Sequence, residues 1–163
     1  MNLNKNKAPL KCWDIYAMHL IKHTNKFDTV ADLTTLNTFK EKNNWVLDLD
    51  ALILPKQFDA IVITDINRVI QWVSKGFTKM TGYPANFAKG KKPLFLQGKE
   101  TTTVSKSNIS KNLQDLNITK QSVINYKKSG SIYKCDIEIY PLRNTQNQVT
   151  HFMALEKEVE YLN

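Results

Sequence analysis

Few residues in this 163-residue chain could do chemistry, and their spacing decides which chemistry is open to them. His19 and His23 stand four apart in a stretch of helical periodicity, the spacing at which two imidazoles reach one metal ion. No acid or cysteine lies in phase with them, so they are expected to be surface histidines, and no metal site is expected. His151, in the phrase VTHFMAL, has no serine or cysteine nucleophile in phase and is expected to be structural. Cys12 and Cys135 lie far apart without a CxxC, which suits reduced thiols of a cytoplasmic protein. Glycine-rich phosphate loops and paired carboxylates in a recognisable frame are missing. No catalytic residues, and no enzyme, are expected. What is left is GKKPLFLQGKET (90–101), which sets two lysines, a proline and a short apolar run between two glycines. It is either a cofactor box or a loop that carries the chain into a helix.

The elements that would position this stretch follow from periodicity. Trp13, Tyr16, Ala17, Leu20 and Ile21 recur at helical spacing, giving an apolar stripe across residues 10–22. A second helix is expected from Asp28 or Thr29, with Asp32 in its first turn and Val30, Leu33, Leu36 and Phe39 on its apolar side. It should end at the polar EKNN (41–44). Pro55 then marks the boundary between a helical extension, residues 1–55, and a domain over 56–160. From residue 59 the rhythm changes. AIVITD (60–65) and VIQWVS (69–74) read as a hairpin around the turn DINR. KGFTKMTGYP (75–84) suits a short helix with Phe77 and Met80 inward and Gly82 as its stop. Residues 84–96 read as short turns, and 101–116 as a helix with Val104, Ile109 and Leu113 as its apolar set. Three strands close the chain, over 118–128, 131–142 and 150–159. In CDIEIY, Ile137 and Ile139 share one face while Asp136, Glu138 and Tyr140 share the other, the pattern of a strand with one wetted face. The order predicts an α+β fold, a five-stranded antiparallel sheet with helices on one face.

Composition bounds the rest. The apolar fraction of 42% and the charged fraction of 23% are those of an ordinary globular domain. No stretch approaches the roughly 18 uninterrupted apolar residues of a membrane span, and the lysine-bearing N-terminus has no apolar run behind it, so neither a membrane nor a signal peptide is expected. The net charge of +8 is spread as lysine, with Arg68 and Arg143 the only arginines. A solvated lysine-rich surface accounts for it, and specific nucleic-acid binding is not expected.

The phrases ITDINRVIQWVSKGFTKMTGY (63–83), GKKPLFLQG (90–98), INYKKSGSIY (124–133) and IYPLRNTQNQVTHFMALEKEV (139–159) together resemble the PAS family of sensor domains across residues 56–160. The resemblance implies a glove-like five-stranded sheet whose helices enclose a small cleft. Members hold flavin, haem, small metabolites or nothing there, and pass the state of the cleft to a partner through the outer face of the sheet.

The 90–98 phrase is most similar to the light-oxygen-voltage branch, with fingerprint G-x-N-C-R-F-L-Q, in which the cysteine bonds the flavin ring. Gly90, Phe95, Leu96 and Gln97 match it. Pro93 stands at the cysteine, and a proline side chain has no nucleophile, so no covalent photocycle is expected; Cys135, in another strand, does not replace it. Among the family's polar contacts Gln97 and Asn125 match. Lys92 replaces a ring-contacting amide, Leu94 one phosphate-binding arginine, Ser110 the second, Cys135 another amide, and Glu156 the glutamine that relays the signal. Each well-formed arginine–phosphate fork contributes about 1.5–3 kcal/mol, so losing two would weaken a flavin phosphate by on the order of a hundredfold. Lys92, Lys106 or Lys111 could supply charge but not the fork. A carboxylate at 156 would face a flavin carbonyl acceptor to acceptor, and Lys92 and Glu156 could instead pair inside the cleft. The phrase also resembles the proline form G-x-N-P-R-F-L-Q of ordinary PAS modules, in which Pro93 fixes a turn and Leu94, Phe95 and Leu96 pack the core.

The residues leave two functions of different class open. The leading expectation is a stand-alone sensory PAS protein without cofactor, acting on a protein partner in trans or as a homodimer, since the chain stops after its last strand. Trp13, Tyr16, Leu20 and Leu33 would carry either a dimer contact or an intramolecular cap. The alternative is a sensor that binds FMN, FAD or another small ligand non-covalently, through Gln97, Asn125, Lys92, Glu156 and Cys135.

Overall fold

The computed structural model describes residues 30–53 and 55–160. Among the described residues two helices come first, α1 (Val30–Lys42) and α2 (Leu49–Ile53). Strands β1 (Ala60–Asp65) and β2 (Ile70–Val73) follow, then α3 (Lys75–Thr81), α4 (Ala85–Ala88) and a 3-10 turn at Pro93–Leu96. Helix α5 (Thr103–Gln114) leads into β3 (Thr119–Tyr126), β4 (Ile132–Arg143) and β5 (Val149–Val159). All pairings are antiparallel and the strand order is β2-β1-β5-β4-β3, so the last strand to be made lies at the centre. The sheet, its hairpin start and the helices at Lys75–Thr81 and Thr103–Gln114 stand where alternation and helical spacing put them, whereas Ala85–Ala88 is a single helical turn in a stretch read as turns.

Strand alternation sorts the residues into two cores. Ala60 and Val62 of β1, Ile137 and Ile139 of β4 and Phe152 of β5 face α3, α4 and α5, with Phe77, Met80, Leu96 and Leu113 packed against them. Ile61, Ile63, Tyr140, Leu142, Met153 and Leu155 point the other way, onto Leu36 of α1, Trp45, and Leu49 and Ile53 of α2. The second face is therefore not wetted along its length, which corrects the reading of CDIEIY. Asp136 is exposed, but Tyr140 is buried beneath the first two helices. A pattern of one apolar and one mixed face cannot say what covers the mixed one.

Trp45 is the hub of that cover. It bridges to Asn144, donates from Nε1 to Thr150 Oγ1 at 3.0 Å, stacks on Phe39 and meets His151 edge-on. Asp32 does more than sit in the first turn of α1. It is buried, and its Oδ2 accepts from the backbone N–H of Lys75 at 3.1 Å, capping α3 where Ser74 makes no side-chain cap. Leu36 and Phe39 carry the apolar side of α1; Leu33 is half-buried and lies outside the outer-face core. Trp13, Tyr16 and Leu20, with the helix expected over 10–22, lie outside the described residues. Gly82 ends α3 as its spacing predicts, at φ +76° with its N–H on Thr78 O.

Candidate functional site

Between the inner face of the sheet and the helical layer lies a cleft of about 380 Å3. Its floor is Val62, Ile137, Ile139, Phe152 and Ala154, and its roof is the 3-10 turn together with Ile109 and Leu113 of α5. The stretch that raised the cofactor question forms one wall. Gly90 and Lys91 tie this wall to the start of β2, since Gly90 N donates to Ile70 O and Ile70 N to Lys91 O, at 2.8 and 2.9 Å. Pro93 opens the 3-10 turn and Leu96 is buried in the core. Phe95 turns aside into an aromatic trio with Tyr83 and Phe87, over which Lys91 Nζ sits 3.3 Å from the Phe87 ring centre. Leu94 does not pack as expected; it is 61% exposed at the mouth. Val104, expected to be inward on α5, is also exposed, because the helix turns Ile109 and Leu113 to the cleft instead.

The polar positions divide by where the register puts them. Gln97, Asn125, Lys92 and Glu156 all line the cleft. Cys135 does not: it is fully buried in the core, and burial followed by the nearby charge of Glu156 pushes its thiol far up. It is thus an unreactive core thiol. Lys92 and Glu156 form no ion pair. Lys92 is exposed at the mouth, and no cation lies within ion-pair distance of Glu156 among the described residues. The expected salt bridge is dismissed.

Glu156 is the outstanding group. It is buried on the inner face of the central strand, paired with Ala60 on one side and Ile137 on the other. Its Oε2 has no hydrogen-bond partner, and burial alone pushes its carboxyl up to about 7. Beyond it, Tyr133 Oη is also buried and has no hydrogen bond of good geometry among the described residues; the phenol is raised by burial, then by Glu156, which the amide of Asn125, its cross-strand neighbour, offsets only in part. Two buried polar groups in want of partners, beside a cavity, are unusual in a folded domain.

One residue escaped the sequence reading. Arg68, in the β1–β2 turn, lines the cleft and donates from a guanidinium nitrogen to Ser110 Oγ at 3.2 Å. Ser110 is where the second arginine of the resembled branch would fall, so a guanidinium reaches that place from another element. The backbone of Arg68 is left-handed, at φ +67°, a conformation in which glycine or asparagine is commoner. Asp65 holds the turn by accepting from the N–H groups of Asn67 and Val69. The signal lay in DINR, where an arginine takes the place a turn glycine would fill.

A flavin meets these residues unevenly. Gln97 and Asn125 can serve a ring edge and Arg68 a phosphate, but the buried end presents an acceptor where the flavin carbonyls are acceptors too. The donor set does not fit a flavin edge while Glu156 is ionised.

An antiparallel five-stranded sheet folded over a ligand-sized cleft defines a sensor-domain architecture, and the family model for the PAS domain matches residues 59–159. The chain belongs to the PAS domain family. Among curated proteins it is similar to the nitrogen fixation regulatory protein of Klebsiella oxytoca, 25% identical over 100 residues covering 61% of this chain and 20% of that protein. It is also similar to the blue-light-activated histidine kinase of Brucella ovis, 30% identical over 90 residues covering 55% of this chain and 18% of that one. The chain thus spans about a fifth of the length of these relatives. Among solved structures it is similar to a light-oxygen-voltage domain studied with a flavin analogue, with a TM-score of 0.63, 27% identity, and 71% and 87% of the two chains covered. The dark structure of the Aureochrome1 light-oxygen-voltage domain superposes with a TM-score of 0.60 at 25% identity, over 63% and 76% of the chains. No described helix is long and apolar enough to cross a membrane.

Proposed function

We propose that this chain is a sensory PAS module that takes a small molecule non-covalently in its cleft and reports the occupancy by contact with a protein partner or a second copy. The observation that carries this reading is the cleft itself, about 380 Å3 of space ending at a buried carboxyl without a partner. Pockets for small molecules begin at roughly 300 Å3 and pair apolar walls with a few placed polar groups. A loop whose only task was to fill the core would leave neither the space nor Leu94 in solvent.

Covalent photochemistry has no support in the residues. Pro93 lacks a nucleophile, and the one described cysteine is buried away from the cleft. Output by contact is supported by the central position of β5, which carries Glu156 on the cleft side and Leu155 on the covered outer face. Native mass spectrometry of the chain, purified without dialysis, tests the ligand reading. A mass excess that disappears on denaturation is expected; the bare chain mass under both conditions would contradict it. Illumination of the same sample is expected to leave its spectrum unchanged.

A further inference from the structure

The two ends of the cleft differ in chemistry. At one end are Arg68, Lys92 and Lys106, none of which has an acidic partner among the described residues. Arg68 lies in the turn just beyond Asp65, the end of β1, Lys92 follows the residue bonded to Ile70, and Lys106 stands one turn before Ser110 on α5. Toward the other end Glu156 is level with Ala60 and Ile137, and Asn125 lies further on, level with Tyr133. Ala60 and Thr64 are four residues apart on one strand, about 13 Å at the usual rise. Apolar floor and apolar roof, with Phe152 and Ala154 facing Leu96 and Ile109, run between the two ends.

An ionised carboxylate only accepts hydrogen bonds, through two oxygens that suit a pair of parallel N–H groups. A slot with apolar walls suits a flat ring better than a solvated ammonium group, whose charge would lose its water. The cations at the mouth lack the anion that would neutralise them. Resting on the ligand reading above, we infer that the cleft selects a planar nitrogen heterocycle with an N–H-donating edge toward Glu156 and an anionic tail toward Arg68. The 2-amino-4-oxo ring of guanine and pterin compounds, carrying a phosphate or carboxylate, has this chemistry. It differs from a flavin at the buried edge, where the flavin puts carbonyl oxygens on either side of a single N–H. The raised carboxyl of Glu156 is consistent with a group whose partner arrives with the ligand.

Titration calorimetry of the full chain with GMP, guanosine and FMN at about pH 8, where Glu156 is ionised, tests the inference. The wild type is expected to bind GMP at least about tenfold more tightly than FMN, the ratio one well-made pair of hydrogen bonds supports. Glu156→Gln offers an amide donor to the flavin edge and is expected to shift that ratio toward FMN by about tenfold or more. Arg68→Asn, which a left-handed turn tolerates, is expected to weaken GMP about tenfold while leaving guanosine within about twofold. FMN preferred by the wild type, a ratio unmoved by Glu156→Gln, guanosine weakened as much as GMP, or no binding of any of the three would each overturn the inference. The wild-type comparison stands even where a variant misfolds. Preference for FMN would overturn the inference while leaving the ligand reading intact; that reading falls on the bare mass described above.

Discussion

A carboxyl that costs energy when ionised makes stability depend on pH in a defined direction. Glu156 has a carboxyl near 4.5 when unfolded and about 7 when folded, so the folded chain holds its proton more tightly. Its neutral form is fully present below pH 4.5, and stability is lost as pH rises through 7. Over that interval the loss amounts to about 3 kcal/mol. Glu156→Gln is expected to remove this slope, leaving the variant more stable than the wild type above pH 7 by up to about 3 kcal/mol and little changed near pH 4.5. Urea denaturation across that range measures it. His151 works in the opposite sense, since burial first, then Lys42, against Asp65, lowers its imidazole, and its contribution is lost as pH falls below 6.5. It is common to both proteins, so the difference between them isolates Glu156. Glu138, on the outer face, differs again. Burial raises its carboxyl, but hydrogen bonds from Lys56, Tyr140 and Lys120 outweigh that and hold it at about 2. Its stabilisation is fully present above pH 4.5 and is lost as pH falls from there to about 2.

At the scale of elements, two close fits bear weight. A Cβ on Gly76 would lie 1.8 Å from Asp59 O, so α3 rests on the start of β1 only because residue 76 has no side chain. Gly76→Ala is expected to push the helix from the strand and cost at least about 2–3 kcal/mol, read as a lower urea midpoint. Trp45→Ala is expected to cost about 3–5 kcal/mol through the void left under α1, whereas Trp45→Phe should lose about 1 kcal/mol with the bond to Thr150. The sequence was most legible where one physical signal sufficed. Alternation placed the strands, and Gly82 closed α3, because each rests on local geometry. Legibility failed where a residue's role depends on a distant partner. Asp32 was visible as a helix-start acid, but its bond to Lys75 joins positions 43 apart. Arg68 looked like part of a turn, and nothing local tells that its guanidinium reaches Ser110. Cys135 matched a ligand position by alignment of phrases, yet its burial in the core removes it from the cleft. Trp45, hidden in an apolar run, is the anchor for the outer face, and no helical spacing marks it as the spacing of Trp13, Tyr16 and Leu20 marks those.

At the scale of the whole molecule, the sheet is the one element among the described residues that the cleft and the outer cover share. β5 touches both: Phe152, Ala154 and Glu156 turn inward while Met153 and Leu155 turn to α1, Trp45 and α2. A ligand that engages Glu156 would stiffen this strand and the helices packed behind it. Hydrogen exchange is expected to slow in Val30–Lys42 and Leu49–Ile53 when the cleft fills, although neither helix lines it. Exchange that slows only in α5 and the 90–98 wall would argue against transmission through the sheet. The central claim is that the cleft meets a buried carboxyl that has no partner among the described residues. A carbon-13 NMR titration of the Glu156 side-chain carboxyl in the ligand-free chain, assigned with Glu156→Gln, reads that state directly. A midpoint near pH 7 is expected; a midpoint near the ordinary glutamate value of about 4.3 would mean that water or a cation already satisfies the group, and would contradict it.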